Sequence, residues 1–316
     1  MRYEPLGDSG LVVSVVGLGA NNFGRRLDVD GTRAVVDTAL DLGINLVDTA
    51  DIYGNQGGSE TLLGEVLRGR REQVVLATKF GMDMGGANGP DWGARGSRRY
   101  VRLAVEASLR RLQTDWIDLY QLHQPDGVTP LGETLAALDE LVREGKVRYV
   151  GSSNLAAWQV ADADSIARQA GTSRYISAQN GYSLLDRTIE RELTPACVAH
   201  RVGILPYFPL ANGLLTGKYR RGEAAPPGTR MEDRLAQVRD RTFDRVEALE
   251  TYARERDLTL LDVAISGLAA QPAVGSVIAG ATRPEQVKAN AAAGEWQPSA
   301  DDLAALDAIA PRGTRA

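Results

Sequence analysis

The chain has 316 residues, 43% of them hydrophobic, and a formal net charge of −5. That length buries a sizeable core, and the acidic balance without a basic block argues against a nucleic-acid partner. No early apolar run is long enough for a membrane span or a signal peptide, so a soluble, cytoplasmic protein is expected. The single cysteine, Cys197, excludes an intrachain disulfide and reads as a small buried hydrophobe.

The first residues predict a hairpin: an extended 3–6, a Gly-Asp-Ser-Gly turn at 7–10 and a second strand at 11–16. After Gly17-Leu18-Gly19 a loop carries Asn21, Asn22, Phe23 and Gly24. Helices and strands then alternate. A helix over 32–42 precedes a strand at 44–47 that runs into Asp48, with Tyr53 on the loop beyond. A helix capped by Ser59 carries Leu62, Leu63, Val66 and Leu67 on one face. A strand at 74–78 runs into Lys79, and a Gly-rich loop over 81–96 holds Trp92. A helix over 98–112 leads to a strand at 117–122 that runs into His123.

Leu131, Leu135, Leu138 and Leu141 mark the next helix, followed by a strand at 147–150 ending in Gly151-Ser152-Ser153-Asn154. A helix over 156–170 precedes a strand at 175–178 ending at Gln179 and Asn180. A helix over 187–200 leads to a strand at 204–208 and a long loop, 209–241; loops of that length are usually functional. Helices over 242–256 and 260–271, a strand at 276–279 and helices over 284–290 and 301–309 complete the chain.

Eight apolar strands alternating with helices imply a parallel sheet covered on its outer face, and eight such units close into a (β/α)8 TIM barrel. No composition break divides the chain, so one domain over 1–316 is expected. In such a barrel the strand C-termini share the active face. Asp48, Tyr53, Lys79, His123, Asn154, Gln179 and Tyr207 all fall there.

A tyrosine has an ordinary pKa of about 10, a neighbouring ammonium lowers it, and a carboxylate holds that ammonium in place. Tyr53, Lys79 and Asp48 therefore make a tuned general acid suited to an oxygen that becomes negative, with His123 orienting that oxygen. Taken singly, each has a plainer role as loop cap, half-buried aromatic, surface charge or core histidine. Lys79 stands out because the chain has only four lysines, Lys79, Lys146, Lys218 and Lys288. No base-activated nucleophile is evident, and His123 and His200 do not form a metal-binding spacing. Proton delivery to a developing alkoxide needs a hydride source, which points to a nicotinamide. Gly17-Leu18-Gly19 lacks the third glycine of a dinucleotide-binding turn, since position 22 is Asn.

Five stretches carry a family resemblance: residues 45–54 (NLVDTADIYG), 77–79 (ATK), 119–123 (LYQLH), 151–154 (GSSN) and 209–219 (PLANGLLTGKY). The chain resembles the aldo-keto reductases, NADPH-dependent barrel enzymes, and within them the bacterial and potassium-channel-β-subunit branch. The resemblance implies Tyr53 as general acid, Lys79 and Asp48 as its tuning groups, and His123 as the carbonyl-orienting group. It implies a carboxamide site at Ser153, Asn154 and Gln179, with Tyr207 stacked on the nicotinamide. Phe208, Pro209, Leu210, Ala211, Asn212 and Gly213 would wrap the pyrophosphate, assisted by Lys218 and Arg230. Gly19, Ala20 and Asn21 supply backbone on the nicotinamide side.

The sequence departs from the aldose-reductase pattern at the adenosine phosphate. Residues 278–286 read IAGATRPEQ, so Gly280, Thr282 and Arg283 would take the phosphate and Gln286 and Asn290 the adenine. NADPH is expected, with NADH as the alternative. Phe23, Trp92, Tyr53 and His123 are the substrate-facing candidates, Trp92 either lining the entrance or anchoring its loop. The expected function is reversible reduction of an aldehyde or ketone. The rival is a cofactor-binding regulatory module with little turnover, and an aldolase with Lys79 as a Schiff base is a weaker third reading.

Overall fold

β1 (Tyr3–Pro5) pairs antiparallel with β2 (Val12–Ser14), as the turn at 7–10 predicts. The expected single strand 11–16 is divided. Ser14 Oγ donates to Val16 O at 2.7 Å, bending the chain at Val15, and β3 (Val16–Gly19) enters a different sheet. The structure, a computed structural model, describes residues 1–316.

The remaining strands are β4 (Leu46–Asp48), β5 (Val75–Phe80), β6 (Ile117–Leu122), β7 (Val147–Ser153), β8 (Tyr175–Gly181), β9 (Gly203–Tyr207) and β10 (Val277–Gly280). The helices are α1 (Val29–Asp41), α2 (Tyr53–Val66), α3 (Arg98–Leu112), α4 (Leu131–Arg143), α5 (Ala157–Ala170) and α6 (Leu193–His200). After the long loop come α7 (Asp240–Arg254), α8 (Leu260–Ala269), α9 (Pro284–Ala293) and α10 (Ala300–Ile309). β3 to β10 form one parallel sheet in the order β10-β3-β4-β5-β6-β7-β8-β9. Ile204 N donates to Ala273 O at 2.6 Å and Gly275 N to Ile204 O at 3.0 Å, which joins the two edges. The result is the (β/α)8 barrel.

Three boundaries differ from expectation for local reasons. α1 begins earlier because Asp28 caps it, accepting from Gly31 N at 2.9 Å. Ser59 caps nothing: it is buried inside α2 and its Oγ donates to Ala20 O at 2.9 Å. The expected helix over 187–200 is a 3-10 turn, Thr188–Arg191, followed by α6. Buried Arg187 pins that turn by donating to Glu190 Oε1 at 2.6 Å and Ala310 O at 2.7 Å.

The larger core lies between strands and helices. Inside the barrel, Leu6, Leu11 and Val13 of the hairpin pack on Leu46, Ala77, Leu119, Ile176, Leu205 and Ile278. These are apolar residues of the barrel strands, so the hairpin plugs the N-terminal end. The C-terminal mouth is left for chemistry.

Candidate active site

β4 and β5 run side by side with Asp48 opposite Ala77, so Asp48 and Lys79 meet at the mouth. Lys79 Nζ donates to both Asp48 oxygens, at 2.9 and 2.7 Å, and to Thr49 O at 2.7 Å. Lys79 has no exposed surface and Asp48 only 3%. Burial alone would favour a neutral amine, but Asp48 and Tyr53 outweigh it and hold the Lys79 pKa above its ordinary value. Gln179 Nε2 donates to Asp48 Oδ1 at 2.8 Å, and Gln121 Nε2 approaches the same oxygen at 3.4 Å. Gln179 thus holds Asp48 in this structure. Gln121, which faces the same carboxylate, was not anticipated; its signal is a polar residue in the otherwise apolar run Leu119 to Leu122.

Tyr53 follows β4 as the first residue of α2, ahead of the left-handed residues 54–57. Its ring centroid lies 5.0 Å from Lys79 Nζ and 5.9 Å from the His123 ring, edge to face at 86°. The expectation that Lys79 brings the phenol below its ordinary pKa is corrected here. Burial raises it, Lys79 pulls it down, Asp48 raises it again, and the net direction is up. Tyr53 is therefore a firmly protonated phenol at neutral pH.

His123 N donates to Phe80 O at 2.7 Å, which sets the residue at the barrel mouth. The residue is 8% exposed and its Nδ1 has no partner. Burial first, then Lys79, lowers its pKa to about 3. The imidazole is neutral at physiological pH.

The nicotinamide candidates cluster at the next strand ends. Asn154, at φ +57°, donates to His123 O and Ser153 Oγ, each at 3.0 Å, and accepts from Tyr207 OH at 2.8 Å. Ser153 lies opposite Gln179 in the β7–β8 register. Phe208 stands edge-on to Tyr207 at 5.1 Å and, with Ala211 and Asn212, takes a positive φ. Gly213 N closes the turn onto Leu210 O at 2.8 Å, beyond buried Pro209. Lys218 folds back against the bare Cα of Gly213.

Gly19 pairs with Gly280 across β3 and β10, Ala20 N donates to Asp48 O at 2.8 Å, and Asn21 faces Gly280. Thr282 N and Oγ1 donate to Gln286 Oε1 at 2.8 and 3.1 Å, Asn290 is buried, and Arg283 is exposed at the start of α9. Arg230 supplies the test of fit for a phosphate-bearing cofactor. It is partly buried and without a carboxylate partner, 5.8 Å from the Phe208 ring, and burial together with Arg26 and Arg25 lowers its pKa. A cation held so favours a bound anion, so the residues fit.

Two substrate candidates fare differently. Phe23 is 0% exposed and packs in the main core, so its side chain presents no face to a ligand, which corrects its assignment. Trp92 is 78% exposed under the Arg99 guanidinium, 4.4 Å from its ring.

The chain belongs to the aldo/keto reductase family, whose model matches residues 15–311. It is 37% identical to the uncharacterized oxidoreductase YrpG of Bacillus subtilis, across 98% of this chain and 96% of that protein. It is 35% identical to a probable voltage-gated potassium channel subunit beta of Arabidopsis thaliana, across 92% and 90%. It is 36% identical to the NADH-specific methylglyoxal reductase of Escherichia coli, across 93% of each chain. The protein is accordingly an NAD(P)H-dependent oxidoreductase of carbonyl compounds. No helix is long and apolar enough to cross a membrane.

Proposed function

We propose that this chain reduces small aldehydes or ketones to alcohols, reversibly and with NADPH, using Tyr53 as the proton donor. When bound, the nicotinamide supplies hydride to the carbonyl carbon. The chain must then stabilise and protonate the carbonyl oxygen. The observation that carries the assignment is the contrast between two rings 5.9 Å apart. His123, with a pKa of about 3, has no proton to give at neutral pH but can hold the oxygen by a hydrogen bond. Tyr53 keeps its proton until the oxygen turns basic, and Lys79 stabilises the phenolate left behind.

Ser153, Asn154 and Gln179 would hold the carboxamide, Tyr207 the nicotinamide face, and residues 208–213 with Lys218 and Arg230 the pyrophosphate. Arg283 and Thr282 at the start of α9 support a phosphate on the adenosine and hence NADPH, Gln286 and Asn290 taking the adenine. The NADH-specific name of one relative keeps NADH as the alternative.

The test compares wild type with Tyr53→Phe on a carbonyl panel, following loss of reduced nicotinamide. Turnover should fall by about 10² or more in the variant while cofactor affinity holds. Equal turnover in both would overturn the acid role. Binding without turnover in either would favour the regulatory reading, for which the likeness to the channel subunit is the supporting observation.

A further inference from the structure

Tyr53 sits on a stretch that cannot hold its own shape. Gly54, Asn55, Gln56 and Gly57 have φ of 69°, 60°, 65° and 114°, four left-handed residues in succession, two of them not glycine. A residue with a Cβ is strained in that region, so its surroundings must impose the conformation.

A buried polar chain grips both ends of this stretch. At one end, Asn88 Nδ2 donates to Asp51 Oδ2 at 2.9 Å. Asn88 Oδ1 accepts from Arg111 Nη1 at 2.9 Å, and Arg111 Nε donates to Glu60 Oε2 at 2.7 Å. Glu60 Oε1 accepts from Thr78 Oγ1 at 2.6 Å, next to Lys79. Between the ends, the Arg111 side chain lies against the bare Cα of Gly57, where a Cβ would meet Cδ at 2.5 Å. Asn88 belongs to the 81–96 loop, so this loop, α3 and the Tyr53 stretch share one network.

We propose that Asp51, Asn88, Arg111 and Glu60 form a latch that holds the Tyr53 stretch in place and ties it to the 81–96 loop. The inference rests on the acid role of Tyr53 given above, and the four are positioning residues. Opening the 81–96 loop withdraws Asn88, leaves Asp51 and Arg111 Nη1 without that partner, and lets Tyr53 leave the Lys79 site.

The latch is proton-dependent. Asp51 meets Glu60 from α2, Asn88 from the 81–96 loop, and Arg111 from α3; Tyr100 of α3 and Tyr120 of β6 also face this cluster. Asp51 Oδ1 and Tyr120 OH are buried without partners. Burial, then Glu60, pushes the Asp51 pKa from 3.8 up to about 8. The latched state therefore holds a proton that the released state gives up. It is favoured at low pH and loses ground as pH rises from about 4 to about 8.

Hydrogen exchange on the ligand-free protein reads the latch without turnover. In Asn88→Ala, exchange should rise by about tenfold in both 53–57 and 81–96, and kcat should fall by a similar factor with cofactor Kd unchanged. Measured against Asp51→Asn, which keeps the shape but cannot ionise, wild type should show the same paired rise, and a falling kcat, as pH goes from about 4 to about 8, levelling off above that. Faster exchange confined to 81–96, or a pH step that persists in Asp51→Asn, would overturn the latch. Absence of carbonyl turnover in wild type would instead overturn the acid role of Tyr53, leaving the exchange data to decide the latch.

Discussion

Lys79 and Asp48 form a two-toothed ion pair, 2.7 and 2.9 Å between Nζ and the two carboxylate oxygens, closed off from solvent. Thr49 O and the Gln179 amide occupy the remaining directions. Such a pair is weak evidence for stability as a whole, but removal of one member strands the other.

Asp48→Asn should therefore cost about 3–5 kcal/mol in denaturant unfolding at neutral pH. Because the Lys79 pKa is raised in the folded state, the pair's contribution is present below 10.5 and fades as pH rises beyond it. That alkaline decline should appear in wild type and be absent from the variant, whose Lys79 has lost the carboxylate that raises it. A wild-type stability that instead rises from neutrality toward pH 10.5 would show that Lys79 is neutral in the fold.

His123 bears on the pH profile. Its folded pKa is depressed from 6.5 to about 3, so the activity profile should show no step near 6.5 from this ring. The same depression makes stability fall as pH drops from 6.5 toward 3, since the unfolded chain binds the proton first. In His123→Gln the acid-side decline in melting temperature should be shallower than in wild type.

Gly54→Ala tests the backbone under Tyr53. Gly54 has φ +69°, and a Cβ would sit 2.5 Å from Phe23 O and Ser59 N, both rigid backbone atoms. The expected loss is about 2 kcal/mol or more in thermal or chemical unfolding, with turnover reduced beyond that. An unaffected kcat would mean that Tyr53 tolerates displacement.

Arg283→Ala addresses cofactor choice. Its exposed guanidinium at the start of α9 is the candidate for the adenosine phosphate. NADPH affinity should fall by about tenfold with NADH affinity unchanged, measured by fluorescence titration. An unaltered NADPH/NADH ratio sinks the assignment.

Leu6→Ala probes the barrel plug. Leu6 is 0% exposed and packs inside the barrel, at the end opposite the site. The cost should be about 2–5 kcal/mol of stability, while cofactor affinity is retained.

The alternation of apolar strands with amphipathic helices was legible along the chain because a strand buried on both faces must be continuously apolar. Asp48, Lys79 and His123 were legible at strand ends for the same reason: a titratable group closing a Val/Ile/Leu run has few structural excuses. Ser59 misled because a serine before a helical pattern looks like a cap whether it bonds its own helix or, as here, Ala20 O across a loop. Phe23 misled because a loop aromatic near the mouth can face inward or outward, and only packing decides which.

Local order of side chains therefore determined the element types, the barrel and the residues that close its strands. Tertiary structure alone decided the protonation states. The Tyr53 phenol stays protonated because burial outweighs Lys79, and His123 stays neutral for want of solvent. It also decided the partnership of Asp51 with Asn88, and of Arg111 with Glu60, residues separated by 37 and 51 positions. Desolvation and long-range hydrogen bonds depend on what folds over a group, and no window of sequence contains that.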